Sequence, residues 1–113
     1  MRRPMTVHEI LRQAIISMRC VRVRTSGFAR DICPHALGFK DGSPRVLAYQ
    51  YSGPSVSGLA PGGQWRAFFV RDIEEASLIE GRWHSGSNLI AKIEACLDRV
   101  EYSIKHRHGR RRG

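Results

Sequence analysis

Ile10, Leu11, Ala14, Ile15 and Met18 fall on a single stripe at helical spacing near the start of the chain. Just ahead of them, Thr6-Val7-His8-Glu9 has the form of a capping box. The Thr6 hydroxyl would meet the third amide of the helix while the Glu9 carboxylate reaches back, and Met5 and Ile10 occupy the staple positions on either side. This predicts a helix over about residues 6–18 with an apolar face to cover. The period then changes from helical to two. Val21 and Val23 alternate with Arg22 and Arg24, Thr25-Ser26-Gly27 supplies a turn, and Phe28 to Cys33 is again strand-like, so a hairpin is expected. Pro34 should interrupt the second strand, which places it at an edge, a bulge or a strand end, because proline has no amide to donate to a ladder.

Further along, Asp41-Gly42 is a hairpin signal, and Arg45 to Tyr51 reads as a third strand with Val46 and Ala48 on one face and Leu47, Tyr49 and Tyr51 on the other. Ser52 to Gly63 holds four Gly, three Ser and two Pro in twelve residues, a long loop of the kind that is functional or mobile. Gln64 to Val70 returns as a strand, Arg71 to Glu75 turns, and Ala76 to Trp83 is a weaker strand. Leu89, Ile90, Ile93, Cys96 and Leu97 then keep helical spacing, and Val100, Tyr102 and Ile104 alternate as a last strand with one apolar face. The chain is therefore expected to be mainly β, of the α+β kind. Five to six short strands are too few for two filled sheets, and closure into a small barrel protects strand edges. The expected architecture is such a barrel with a covering N-terminal helix and a short helix before the last strand.

At 113 residues there is room for one domain, over about residues 1–104, followed by a basic tail at 105–113. The composition, 42% hydrophobic and 26% charged, is that of a globular protein. No apolar run approaches the roughly 18 residues of a membrane span and no signal-type stretch follows Met1, so a cytoplasmic protein is expected. The net charge of +9 sits mostly at the ends. Without Arg2, Arg3 and the five tail cations Lys105, Arg107, Arg110, Arg111 and Arg112, the body has 12 basic and 10 acidic residues. The tail thus carries most of the attraction for a polyanion, through phosphate neutralisation and counterion release, and its composition predicts disorder in the free chain.

Cys20, Cys33 and Cys96 are odd in number, widely spaced and without a C-x-x-C pair, which implies neither a disulfide framework nor a structural zinc site. Cys33 and His35 lack the third, orienting group of a nucleophilic site. Ser55 and Ser57 in the glycine-rich loop could offer hydroxyls and amides to an anion, yet no G-K-[ST] follows as in a P-loop. No catalytic residue, metal or cofactor is expected.

Several ordered motifs point to a family. Arg30, Ile32-Cys33-Pro34-His35-Ala36-Leu37-Gly38, Val46-Leu47-Ala48-Tyr49 and Arg66-Ala67-Phe68-Phe69-Val70-Arg71-Asp72-Ile73 resemble the WYL-domain family over roughly Thr6 to Trp83. More narrowly, Pro34-His35 with Gly38, Leu47-Ala48-Tyr49-Gln50, Gly53-Pro54-Ser55-Val56-Ser57-Gly58 and Trp65-Arg66-Ala67-Phe68 resemble short standalone WYL-like bacterial proteins. The Trp-Tyr-Leu triplet is absent, with Pro44-Arg45-Val46 in its place. Only about twenty residues precede the first strand, too few for a helix-turn-helix, so any regulation of transcription is expected to run through a partner or the tail. The resemblance implies an Sm-like or SH3-like β-barrel that senses a nucleic acid or nucleotide-type ligand, as in transcriptional regulators and bacterial defence systems.

On the strand period, Arg30 shares a face with Phe28 and Ile32, and Arg66 shares one with Phe68 and Val70. A guanidinium among apolar neighbours is suited to a phosphate or carboxylate, or else to an ion pair with Asp31 or Asp72. Trp65, Tyr49 and Tyr51 offer stacking surfaces, and His35 a donor that titrates near neutral pH. The candidate ligand-binding residues are Arg30, His35, Tyr49, Gln50, Ser55, Ser57, Trp65, Arg66 and Arg71. The expected activity is non-enzymatic binding of RNA, DNA or a nucleotide. The alternative is a protein-interaction or homo-oligomerisation module that uses barrel edges and the apolar Trp65 and Trp83.

Overall fold

The computed structural model describes residues 3–54 and 62–104. Helix α1 (Val7–Ser17) begins as the capping box predicts: the Glu9 amide donates to Thr6 Oγ1 at 3.1 Å and the Thr6 amide to Glu9 Oε1 at 2.9 Å. It ends at Met18, in the left-handed region. The strands β1 (Cys20–Thr25), β2 (Phe28–Lys40), β3 (Ser43–Ser52), β4 (Gln64–Phe69), β5 (Glu75–Ile79) and β6 (Arg99–Ser103) follow, with a single 3-10 turn (Val70–Asp72) between β4 and β5 and helix α2 (Leu89–Cys96) before β6. All strand pairs are antiparallel, in the order β4-β3-β2-β1-β5, and β6 lies beside β2. The ladders leave β4 and β5 at the ends of an open sheet. Among the described residues no helix is long and apolar enough to cross a membrane.

The second strand does not stop at Pro34; it runs on to Lys40. Its first half pairs β1 as far as Ile32, its second half pairs β6 from Ala36, and β3 lines its other side from Asp31 to Lys40. Pro34 sits between the two ladders and beside a bulge, the setting in which a residue without an amide donor is tolerated in a sheet. On the β3 side Pro34 faces Ala48 and Ala36 faces Leu47, so His35 is the extra residue. That insertion resets the alternation. Ile32 and Leu37 both enter the main core although five residues apart, which strict period-two alternation would forbid.

Two clusters result, one on each face of the sheet. Leu11, Ala14 and Ile15 of α1 pack with Val21, Val23, Ile32, Leu37, Val46, Ala48 and Phe68. Across the sheet Ile93, Cys96 and Leu97 cover Ala36 and Leu47, with Trp65 and Ala67 at their margin. Two expectations need correction. The strand after the 3-10 turn ends at Ile79, and Trp83 lies beyond it. Val100 does not join the face of Ile104, because a bulge in β6 sets Leu37 opposite Tyr102 and Gly38 opposite Val100 with Glu101 between; Val100 remains 41% exposed.

The β2–β6 ladder depends on Gly38. A Cβ there would lie 1.9 Å from the Arg99 carbonyl oxygen and 3.0 Å from Val100 Cα, both backbone atoms that cannot yield without breaking the ladder. Gly38→Ala is therefore expected to destabilise the protein by about 3 kcal/mol, measured by urea unfolding.

Candidate functional site

Three of the candidate residues converge at one end of the β2–β3–β4 surface. Register places Gln50 opposite Ile32 on one side and Gln64 on the other, with Arg66 one step away opposite Ala48. Gln50 thereby continues the inward series of Val46 and Ala48 and is fully buried. A buried amide must be satisfied. Its Nε2 lies 3.2, 3.1 and 3.2 Å from the carbonyl oxygens of Ser52, Gly53 and Pro54, and its Oε1 accepts from Arg66 Nη1 at 3.3 Å.

Arg30 meets the same turn from β2. Its Nε donates to Thr25 Oγ1 at 2.5 Å, and its Nη1 donates to the Pro54 carbonyl that also faces Gln50. The turn comes close because Gly53 has φ +103 and no side chain; a Cβ would stand 2.6 Å from the Ala29 carbonyl oxygen. Arg30 is only 9% exposed. Burial, and secondarily the charge of Arg66, holds its guanidinium below the usual arginine range.

The ion pairs expected as one possibility do not form here. Asp31 is engaged by Arg22, Nε to Oδ1 at 2.7 Å and Nη2 to Oδ2 at 3.1 Å. Among the described residues neither Arg30 nor Arg66 has a carboxylate within ion-pair distance. Two guanidiniums thus share one region, bound only to neutral oxygens. Such a region favours an anion.

The other candidates lie elsewhere. Tyr49 and Trp65 face each other on the opposite side of the β3–β4 pair, with ring centroids 5.2 Å apart. Trp65 Nε1 donates to the Ser87 carbonyl at 2.9 Å. Arg71 follows β4, lies over the Phe69 ring at 4.5 Å and donates to Ser43 Oγ at 2.9 Å. It therefore belongs to the far end of β3, about 20 Å of strand from Gln50. Ser55, Ser57 and the tail cations Lys105, Arg107, Arg110, Arg111 and Arg112 lie outside the described residues.

His35 is not an exposed donor. As the bulged residue it turns inward and is 0% exposed, 4.8 Å from the ring centroids of both Trp65 and Trp83. Its Nδ1–H donates to the Cys33 carbonyl at 2.7 Å, so its Nε2 is the acceptor for the Ser85 hydroxyl at 2.8 Å. Burial lowers its pKa from 6.5 to about 4, which keeps the ring neutral at physiological pH. The imidazole meets the Cys33 backbone and not its thiol, and burial pushes that thiol up to about 12. This is opposite to what an activated cysteine requires. Among the described residues no group of three or more His, Cys, Asp or Glu is placed to hold a metal ion.

Sequence reasoning missed Thr25, read only as turn chemistry, and the Pro54 carbonyl, which tie Arg30 in place. The signal available for Gln50 was its position: one amide continuing an otherwise apolar inward series.

The depressed His35 pKa has a consequence for stability. Between pH 6.5 and about 4 the unfolded chain takes up a proton that the native state refuses, so the native state loses ground as pH falls through this window. The contribution is full above pH 6.5 and reaches roughly 3 kcal/mol across the window. Glu9 and Asp98, whose pKa values are also lowered, titrate below their ordinary 4.5 and 3.8, outside the interval from pH 7 to 5. Urea unfolding over that interval should show stability falling with pH in the parent protein and a flatter profile in His35→Gln.

No family model, curated protein or solved structure matches this chain.

Proposed function

We propose that the chain is a non-enzymatic binding module that recognises a nucleic acid or nucleotide-type anion at the Arg30–Gln50–Arg66 cluster. The observation that supports this reading is the meeting of Arg30 and Arg66 around Gln50 with no carboxylate to neutralise them. Arg66 is half-buried and is the residue positioned to donate to an incoming phosphate, while the buried Arg30 adds charge and holds the Gly53–Pro54 turn. The basic tail adds a salt-dependent, sequence-independent attraction. The likeness to short WYL-type proteins, with a small Sm-like or SH3-like barrel, belongs to the same reading. It draws support from the N-terminal helix and the antiparallel sheet, whose closure into a barrel would require the β4 and β5 edges to come together.

A second reading, self-association or capture of a protein strand, draws on the edges that β4 and β5 present at the sheet ends. Trp65 and Trp83 contribute less to it than expected, since both are partly buried against His35.

Fluorescence-anisotropy titration with labelled single-stranded RNA, single-stranded DNA and duplex DNA tests the proposal. The full chain and a form ending at Ile104 are compared at two salt concentrations. Binding that survives truncation and weakens about tenfold in Arg66→Ala is expected, the loss of one charge-assisted hydrogen bond. Unchanged affinity in Arg66→Ala would remove the cluster from the interface. Sedimentation over a range of concentrations tests the self-association form of the second reading, which requires a concentration-dependent mass.

A further inference from the structure

The opposite face of the β3–β4 pair holds a separate groove of about 220 Å³. Its floor is apolar, made of Leu47, Ala67, Ala95 and Cys96, and Trp65 forms one side. Arg45 and Lys92 stand at the rim, and Arg66 borders it. No carboxylate lines the groove, and Glu94, the one acid on α2, is not part of it. Among the described residues neither Arg45 nor Lys92 is within ion-pair distance of an acid. The Trp65 N–H is committed to Ser87, so the indole offers the groove only apolar surface.

Arg45 carries the strongest sign of an unfilled role. Its guanidinium lies over the Phe69 ring at 4.8 Å and makes one long contact, Nη1 to the Cys96 carbonyl at 3.4 Å. Its Nε–H is buried with no acceptor, alone among the buried side-chain polar atoms of the described residues. Such a group is costly unless a partner arrives. A planar carboxylate suits the guanidinium fork.

We propose that this groove binds a small carboxylate with a flat apolar body, of the class of benzoate. The carboxylate sits between Arg45 and Lys92, and the ring lies on Leu47 and Ala67 beside Trp65. The volume is below the roughly 300–1,000 Å³ of pockets for larger ligands, which limits the occupant to about one ring. A bare inorganic anion would leave the floor unused, and a neutral ring would leave the cations unpaired. The inference does not require a ligand at Gln50.

Amide NMR titration of the full chain with benzoate, benzyl alcohol and inorganic phosphate tests it. Benzoate is expected to give saturable shifts at Leu47, Ala67 and Ala95 in the millimolar range or tighter. Benzyl alcohol should bind at least tenfold more weakly, and phosphate should leave these amides unmoved. Ala95→Trp, at an exposed position of α2, should fill the groove and abolish the shifts. Lys92→Ala, also exposed, should weaken binding about tenfold with the rest of the spectrum unchanged. Non-saturating shifts, equal affinity for benzyl alcohol, or full binding in a folded Lys92→Ala or Ala95→Trp protein would each overturn the proposal.

Discussion

The fold depends on one long strand and on the residue inserted into it. Strand β2 is paired on both sides for most of its length, to β3 along one edge and to β1 and then β6 along the other. Two different ladders can share one edge because Cys33 to His35 fill the interval between them, and the bulge at His35 lets the strand change phase there. Without that reset, Leu37 would face away from Ile32 and the core under α1 would lose one of its two halves. The interval is sealed by the segment after β5. The His84 amide donates to Cys33 Sγ at 3.2 Å, and the Ser85 hydroxyl meets His35.

Because the bulge turns His35 inward, its ring becomes a structural joint between β2, Trp65 and Trp83. A buried imidazole is tolerated when both nitrogens are engaged and the ring is neutral, and both conditions hold. The same arrangement removes it from the list of groups that greet a ligand. Binding chemistry is left to the arginines.

Those arginines divide by neighbourhood. Arg3, Arg19, Arg22 and Arg24, on the α1 and β1 side, each reach an acid. Strands β3 and β4 contain no Asp or Glu, so Arg45 and Arg66 must use aromatic rings, amide oxygens and carbonyls instead. A body with nearly balanced total charge therefore presents an uncompensated cationic region on the two faces of a single strand pair. On one face the cations surround a buried amide; on the other they rim an apolar groove. Exposed ion pairs on the remaining surface contribute little to stability, and their main effect is to confine the positive field.

Much of the architecture was legible in the chain because local chemistry dictates it. The capping box set the start of α1, the Ser26-Gly27 and Asp41-Gly42 pairs closed two hairpins, and helical spacing located α2. Candidates Arg30 and Arg66 were also legible, as charged groups on faces otherwise apolar, whereas Gln50 entered only through the motif resemblance. The bulges were not, since a single inserted residue leaves the composition of a strand unchanged while inverting the side every later residue faces; hence the reversals at His35 and Val100. Nor could the sequence say that Arg71 stands apart from Gln50 or that Arg45 and Lys92 share a groove, for these depend on strand register and on where α2 lands. The sequence by itself determined most of the elements and their turns, which arise from contacts within a few residues, and the absence of acids on β3 and β4, which is composition alone. Only the tertiary structure decided which cations meet, because charge convergence is a property of chain segments brought together by burial, and burial is settled by the whole core at once.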